Sequence, residues 1–227
     1  MGFHKFKIAA AVAAAMMAAT SANADTIDWT HWTASGAGTA SGATSGGVGV
    51  TFTGDIVSLV ANYPSWTPTG TYVGGTVGNA PPQSGGIIQL FGGNRDVNTI
   101  SFSTALVNPV IAIWSLGQGG IDASYNFINA PFTIEAGGPS AEYGGSSITS
   151  SGDTVFGVEG NGTIQFTGTY TSISFTNPVF EDWYGFTVGN DVTAGVPEPA
   201  TWAMFLLGFG AIGWTLRGNR RKAAVTA

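Results

Sequence analysis

The sequence contains no cysteine and almost no histidine, and these two absences exclude whole classes of site. Without cysteine there are no disulfides, no thiolate metal ligands and no cysteine nucleophile. The two histidines are His4 and His31, so zinc sites built from histidine and cysteine are out of reach. A serine triad in the exported chain would have to use His31, which we expect to be a packed strand residue between Trp29 and Trp32.

Basic residues are nearly absent from the central part of the chain. Between Asp25 and Gly195 there are twelve acidic residues and one basic residue, Arg95, which gives this body a net charge of −11, although the whole chain carries −6. We exclude nucleic acid as a partner, because its binding relies on lysine and arginine neutralising phosphates. The excess of carboxylates leaves two interpretations open: solubility without lysine, or binding of calcium through ligands that the sequence does not identify.

The N-terminal residues predict an export signal. Lys5 and Lys7 precede an apolar segment from Ile8 to Ala19, and Ala22-Asn23-Ala24 is a small-x-small cleavage site. A first transmembrane helix is disfavoured, since the apolar segment is short and the cleavage site follows it closely. We therefore expect residues 1–24 to be a signal peptide, cleaved before Asp25 after export through the secretion translocon.

The C-terminal residues predict a membrane anchor. The apolar segment 200–216 contains no charged residue and is followed by a basic stop-transfer group, Arg217, Arg220, Arg221 and Lys222. As a helix this segment would be roughly 25 Å long, the short end of what a bilayer core requires. Basic residues just beyond such a helix favour keeping that end in the cytoplasm. The body would then lie outside.

The residues before this anchor carry a recognisable motif. Pro197-Glu198-Pro199, followed by Trp202, resembles the PEP-CTERM sorting signal of Gram-negative bacteria, and the resemblance is limited to about residues 197–222. It implies processing by an exosortase, a membrane transpeptidase-like enzyme that releases or transfers the body to the cell surface, and a link to exopolysaccharide and biofilm. One departure is Gly218-Asn219, which separates Arg217 from the other basic residues.

The body has the sequence pattern of an all-β protein. Val48, Val50 and Phe52 alternate with small or polar residues, as one buried strand face requires, and the run Val110 to Trp114 is apolar on both sides, as expected of a central strand. We predict one β-sandwich of the jelly-roll kind over residues 25–190, followed by a linker over 191–196. The other predicted strands are Ile87–Phe91, Ile100–Ser103, Tyr125–Ile128, Phe132–Glu135, Thr154–Val158, Ile164–Thr167, Ser172–Thr176 and Trp183–Val188.

Two segments break this pattern. Residues 33–47 are nearly all Gly, Ala, Ser and Thr, which predicts a flexible loop or a poorly ordered strand connection. Residues 62–86 are too long for a plain turn, and long loops in compact domains are usually functional or mobile. We expect Trp66 and Tyr72 in this loop to be exposed aromatic platforms and candidate ligand contacts, because a loop tryptophan has less reason to be buried.

Two acidic positions are further candidates. Glu181 and Asp182 stand beside Trp183 and Tyr184, a mixture suited either to sugar stacking or to a calcium ligand near a sugar, and equally to the start of a strand with core aromatics. Glu159, in a Gly- and Asn-rich context after a strand, is expected at the tip of a hairpin.

A glycosidase needs two carboxylates facing each other across a cleft, and no spacing in this sequence selects such a pair. We therefore expect an exported, surface-sorted protein of the extracellular matrix or envelope, without catalysis and with no cofactor other than calcium. The expected partners are the translocon, an exosortase-like enzyme and exopolysaccharide. Two alternatives stay open: a carbohydrate-binding module, with or without calcium, and a secreted glycoside hydrolase.

Overall fold

The described part of the chain is almost entirely β-structure. The computed structural model describes residues 24–61, 63–192 and 207–209. The strands are β1 (Ile27–Trp29), β2 (His31–Gly36), β3 (Thr39–Ala43), β4 (Gly49–Thr53), β5 (Ile56–Val60), β6 (Ile87–Leu90), β7 (Asn98–Val107), β8 (Val110–Leu116), β9 (Ala123–Phe127), β10 (Phe132–Gly137), β11 (Ser146–Ser147), β12 (Thr149–Ser151), β13 (Thr154–Gly157), β14 (Gly160–Phe166), β15 (Thr169–Thr176) and β16 (Tyr184–Asp191). Short 3-10 helices span Thr69–Thr71 and Gln83–Gly85. The all-β prediction is confirmed, and each predicted strand coincides with an observed one.

The strands form two sheets. Sheet I has the order β10-β14-β8-β16-β6-β5, with β1 added to β16 and β11 to β14, and sheet II has the order β12-β13-β9-β15-β7-β4-β3-β2. All strand pairs are antiparallel except β11 with β14. The strands of β6–β9 pair with those of β13–β16 in reverse order: β6 with β16, β7 with β15, β8 with β14 and β9 with β13.

The main core lies between the two sheets. Phe52 of sheet II contacts Phe186 of sheet I with ring centroids 5.4 Å apart, and Phe127 contacts Phe166 across the same space at 4.9 Å. These pairs are edge-to-face, an arrangement worth about 0.5–1.5 kcal/mol beyond the apolar area that the rings bury. The contacts between the inner faces confirm a β-sandwich.

A second core covers the outer face of sheet I. Val110, Ala112 and Trp114 of β8 point away from the main core and pack against Trp66 and Tyr72 of the loop between β5 and β6. Strand β8 is therefore buried along its whole length, as its continuous apolar sequence predicts. The long loop acts as a third layer over this part of the sheet.

The prediction of a loop or poorly ordered connection over residues 33–47 was wrong. Most of this segment forms β2 and β3, which pair with each other and then with β4. Its many Gly and Ala residues have low intrinsic strand propensity, and pairing with neighbouring strands overrides that propensity. Gly42 also allows close approach, because a Cβ atom there would lie 2.4 Å from the carbonyl oxygen of His31.

The body is held at both of its ends. The Asp25 amide donates to the Thr76 carbonyl oxygen at 2.8 Å, and the Val192 amide donates to the Thr26 carbonyl oxygen at 3.1 Å. The chain divides into two compact units after Val192. Within the described residues, hydrogen-bonded structure thus includes the expected first residue of the mature protein and the first two residues of the predicted linker.

Few residues of the C-terminal unit are described. Residues 207–209 are helical, and the rest of the predicted transmembrane helix over 200–216 lies outside the described residues. Within the described ranges, none of the helices has the length and apolarity that crossing a membrane requires.

Candidate functional site

One cavity of the sandwich brings acidic and aromatic side chains together. We call it the acidic pocket; its volume is about 300 Å³, and it is lined by Ser115, Gln118, Tyr143, Glu159, Glu181, Asp182 and Trp183. None of these lining residues carries a positive charge. The pocket is therefore a concave site with three carboxyl groups and two aromatic rings.

The strand order explains why these residues meet. Strand β8 ends near Ser115, and its antiparallel neighbours β14 and β16 begin there, so three chain segments converge at one edge of sheet I. The segment before β16 supplies Glu181, Asp182 and Trp183. Glu159 lies between β13 and β14, which belong to different sheets. Its turn connects the two sheets, so the prediction that Glu159 lies at the tip of a hairpin was wrong.

Two pocket residues have an unusual backbone conformation. Ser115 has φ 57° and Glu159 has φ 52°, in the left-handed region that residues other than glycine rarely adopt. The Ser115 hydroxyl donates to Oε2 of Glu159 at 2.6 Å. Asn161, which is fully buried, accepts from the Ser115 amide at 2.8 Å and donates to the Glu159 carbonyl oxygen at 2.8 Å. Such conformations persist where the surroundings fix them, and they concentrate at functional sites.

Close packing against glycine also fixes Glu159. A Cβ atom on Gly145 would lie 1.9 Å from the Glu159 carbonyl oxygen, and Gly145 itself has φ 78°. Only glycine fits there. The Glu159 carboxylate is thus held in place by its backbone and its side chain.

Glu181 is a buried carboxyl group with an incomplete set of hydrogen bonds. It is 1% exposed; Oε1 accepts from the Trp183 amide at 2.8 Å, while Oε2 has no donor. Burial raises the pKa of Glu181 to about 8, the carboxyl groups of Asp182 and Glu159 add to the shift, and the Trp183 amide opposes it. Glu181 therefore holds a proton near neutral pH.

The aromatic side of the pocket is a connected group of rings. Trp114 contacts both aromatic residues of the pocket: its ring centroid is 4.5 Å from that of Trp183 and 5.5 Å from that of Tyr143. The hydroxyl oxygens of Tyr143 and Tyr63 are 3.3 Å apart. This hydrogen bond, together with burial and the charges of Tyr63, Glu159 and Glu142, raises the pKa of Tyr143 to about 12. Tyr143 remains 46% exposed, so its ring is accessible to a ligand.

The structure separates the four ligand contacts predicted from sequence. Glu181 and Asp182 line the acidic pocket. The prediction that Trp66 and Tyr72 are exposed platforms was wrong: they are 2% and 0% exposed, and their rings meet at 5.2 Å. The reason is that the outer face of sheet I is apolar, and these rings bury it.

The sequence did not identify Tyr143 as a site residue. Tyr143 lies in a Gly-rich segment after β10, where nothing but the aromatic side chain distinguishes it. Glu159 carried a stronger signal, since it is an acidic residue in a Gly- and Asn-rich segment directly after a predicted strand.

A larger cavity of about 650 Å³ lies in the loop between β5 and β6, and Trp66 is among the residues that line it. The described residues around it include no charged side chain. This cavity has room for a ligand but offers only neutral contacts, so the acidic pocket is the better candidate for specific chemistry.

Several other carboxylates are internal hydrogen-bond acceptors. Asp28 accepts from the Gly46 amide at 2.7 Å, Glu135 from the Thr76 amide at 2.9 Å, and Glu142 from the Thr67 hydroxyl at 2.9 Å. Part of the acidity of the body is therefore structural. Within the described ranges, no three Asp, Glu or His side chains are grouped to hold a metal ion. Calcium binding stays a prediction.

Comparison with known families adds the decisive observation about the C-terminal region. The family model of the PEP-CTERM protein-sorting motif matches residues 195–222. The chain carries a PEP-CTERM sorting motif. It is therefore an exported, surface-sorted cargo protein, and an exosortase-type membrane enzyme processes it. No curated protein and no solved structure matches the chain.

The match covers residues that the sequence predicted for sorting. Pro197, Glu198, Pro199 and Trp202 fall within it, as do Arg217, Arg220, Arg221 and Lys222. All of these, and Ala22 of the predicted signal cleavage site, lie outside the described residues. Ala24 of that cleavage site is described and is exposed.

Proposed function

We propose that this chain is a non-catalytic protein of the cell surface or extracellular matrix, whose β-sandwich binds a saccharide in the acidic pocket. The PEP-CTERM motif supports the location, and the pocket supports the ligand class. The body is then the working part of the protein, and its two terminal segments serve export and sorting.

One observation carries the saccharide assignment: the half-exposed Tyr143 ring and the Trp183 ring stand beside three carboxyl groups in one concave site. Sugars present an apolar C–H face and a ring of hydroxyl groups. Aromatic rings pack against the apolar face. Carboxylates accept hydrogen bonds from the sugar hydroxyl groups, and the Gln118 amide can both donate to them and accept from them. Binding sites typically combine such walls with a few placed polar groups.

Affinity electrophoresis in gels containing different polysaccharides tests this proposal. The full-length chain, held in a detergent without a sugar head group, should be retarded by at least one of them. Tyr143→Ala should abolish most of the retardation. Phe180→Ala is the matched control, because Phe180 is an exposed aromatic residue, 59% exposed, that does not line the pocket. Equal retardation of both variants would remove the pocket from the proposal.

The sandwich supports a jelly-roll assignment as well. In a jelly roll, a folded-over chain places its first strands beside its last in two facing sheets. The pairings of β6–β9 with β13–β16 in reverse order follow this arrangement. We infer that β1–β5 and β10–β12 are additions to an eight-stranded jelly roll.

For sorting, we propose transient anchoring by a helix over residues 200–216, with cleavage at the extended Pro197-Glu198-Pro199 segment. Each proline fixes its own φ and disfavours helix in the preceding residue, which presents this peptide outside the membrane. Replacing the three residues by alanine should leave export intact and block maturation, so that the uncleaved form accumulates in the inner membrane. Thr193→Ala, outside the matched motif, is the control. Mass spectrometry of membrane and surface fractions measures both, and surface protein lacking its C-terminal segment in the alanine variant would contradict the mechanism.

One observation favours a second candidate, glycoside hydrolysis. Glu181 holds a proton near neutral pH beside the ionisable groups Asp182 and Glu159, as a general acid next to a carboxylate would. Release of reducing ends from a retained polysaccharide, lost in Glu181→Gln, would establish it. Binding without release in the wild-type chain supports the non-catalytic function.

A further inference from the structure

The acidic pocket has a marked imbalance between acceptors and donors. Glu159, Glu181 and Asp182 bring six carboxyl oxygens to a cavity of about 300 Å³. Besides the proton on Glu181, the side-chain donors among the lining residues are the Ser115 hydroxyl, the Gln118 amide, the Tyr143 hydroxyl and the Trp183 indole. Of these, the Ser115 hydroxyl is already engaged by Glu159, and the Tyr143 hydroxyl lies against that of Tyr63. A ligand that enters this site meets acceptors and negative charge.

A second observation is a buried carboxyl oxygen in this pocket that has no hydrogen-bond donor among the protein groups. Glu181 is 1% exposed, lines the pocket and leaves Oε2 without a donor. A buried polar atom without a partner costs free energy, and a buried carboxylate costs more. In the free protein a proton reduces this cost. A ligand that brings both a donor and a positive charge would take the place of that proton, which leaves to solvent as the ligand binds.

The aromatic rings of the pocket indicate which kind of positively charged ligand would fit it. The rings of Tyr143 and Trp183 have centroids 6.5 Å apart, and Tyr143 is half exposed. Aromatic faces attract ammonium groups and also pack against the C–H face of a pyranose. A bare metal ion would use neither property. An ammonium group has three donors and no acceptor, which complements a pocket rich in acceptors.

We propose that the acidic pocket recognises a protonated amino sugar, as a unit of a polysaccharide that carries free amines. The ammonium group lies among the carboxyl groups of Glu159, Glu181 and Asp182, and the pyranose ring lies against Tyr143 and Trp183. The positively charged polymer also suits the whole body, whose net charge is −11 from twelve acidic residues and Arg95. This inference rests on the proposed saccharide-binding function and names its ligand class.

Two oligosaccharides that differ only in charge test it. Isothermal titration calorimetry at about pH 6 compares a glucosamine tetramer with its fully N-acetylated counterpart, using the full-length chain in a polyoxyethylene detergent that contains no sugar. We expect the amino form to bind at least about tenfold more tightly. Equal binding of the two forms overturns the amine assignment and leaves saccharide binding standing. If neither these two nor any polysaccharide in the electrophoresis panel binds, both proposals fail.

A third ligand, tetralysine, tests whether binding depends on the sugar ring or only on positive charge. Tetralysine carries the same number of side-chain amines on a peptide backbone, and it should bind at least about tenfold more weakly than the glucosamine tetramer. Equal or tighter binding of tetralysine would show that the pocket selects charge without a pyranose ring, which overturns the proposal.

Matched variants locate the site. Glu159→Gln and Tyr143→Ala should each weaken binding of the glucosamine tetramer by about tenfold. Asp153→Asn is the charge control: it removes one carboxylate directly before β13, at the end of that strand away from Glu159, and we expect a change of less than about twofold. Near-UV circular dichroism checks the fold of each variant. If Glu159→Gln does not fold, Tyr143→Ala carries the test, because nearly half of that side chain is already exposed. Unchanged affinity in the folded variants would place the amine elsewhere and overturn the assignment.

Discussion

Two groups of aromatic residues belong to the outer side of sheet I, and they differ in what covers them. Trp66 and Tyr72 lie in the loop between β5 and β6 and are sealed against β8. Tyr143 and Trp183 pack against the same strand through Trp114, yet they border an open pocket. Both groups come from irregular segments, so location in a loop does not decide exposure. The difference is that the first group is enclosed between its loop and sheet I, whereas the second lies at the edge of the sheet where β8, β14 and β16 meet.

The charges around the two groups differ as well. The loop cavity beside Trp66 has no charged lining among the described residues, whereas the pocket beside Tyr143 has three carboxyl groups. The first group therefore contributes apolar burial, and the second offers a surface for recognition. Changes in each group should separate stability from binding, and the effects below run from the largest to the smallest.

Trp66→Ala should cause the largest loss of stability. Truncating a buried tryptophan removes its apolar burial and leaves a cavity, which costs about 3–5 kcal/mol in the free energy of unfolding. Urea unfolding followed by tryptophan fluorescence measures this loss. Phe180→Ala is the comparison, because an exposed ring should cost less than about 1 kcal/mol. A small loss at Trp66 would mean that the loop does not seal this face in solution.

Glu181→Gln should change how stability depends on pH. The pKa of Glu181 is raised to about 8 in the folded state, whereas an ordinary carboxyl in the unfolded chain releases its proton near pH 4–5. Between these values the folded state binds more protons, so its stability is greatest below the lower pKa and falls as pH rises toward 8.

Glutamine cannot titrate and removes this contribution. We expect Glu181→Gln to melt at least about 3 °C above the wild-type chain at pH 8, with a much smaller difference at pH 5. Thermal melting across this range, with Asp153→Asn as the control for loss of a charge, measures the effect. Wild-type and Glu181→Gln curves that stay parallel from pH 5 to 8 would contradict the raised pKa.

Millimolar calcium should have the smallest effect, a rise in melting temperature of about 1–2 °C. A divalent ion relieves repulsion among the carboxylates of a body with twelve acidic residues and one basic residue. Differential scanning fluorimetry with calcium, magnesium and a chelator measures it. If the rise persists in Glu159→Gln, calcium acts on the body in general; an unchanged melting temperature in the wild type would leave the acidity to solubility and internal hydrogen bonds.

Much of the fold was predictable because its signals are local. The alternation at Val50 and Phe52 and the continuous apolar run of β8 follow from which strand faces are buried. The strands β2 and β3 were missed because their Gly, Ala, Ser and Thr residues carry no such signal, and their pairing with β4 provides what propensity lacks.

The site was predictable only in part. Glu181 and Asp182 stood out beside two aromatic residues, since the mixture of charge and apolar area is visible in four consecutive positions. Tyr143 and Glu159 were not assigned with them, because they are remote in the chain and meet the others only where β8, β14 and β16 converge. Trp66 and Tyr72 were misplaced for the converse reason: the apolar face that buries them belongs to distant strands.

The sequence by itself determined the sorting motif, the all-β class, the negative charge of the body and the absence of thiol chemistry, because composition and short-range order are properties of the chain. Tertiary structure alone decided which aromatic rings are sealed, which carboxyl groups share a pocket and which of them holds a proton. These depend on the dielectric surroundings and on neighbours brought close by the strand order, since burial and charge–charge interaction act through space and not along the sequence.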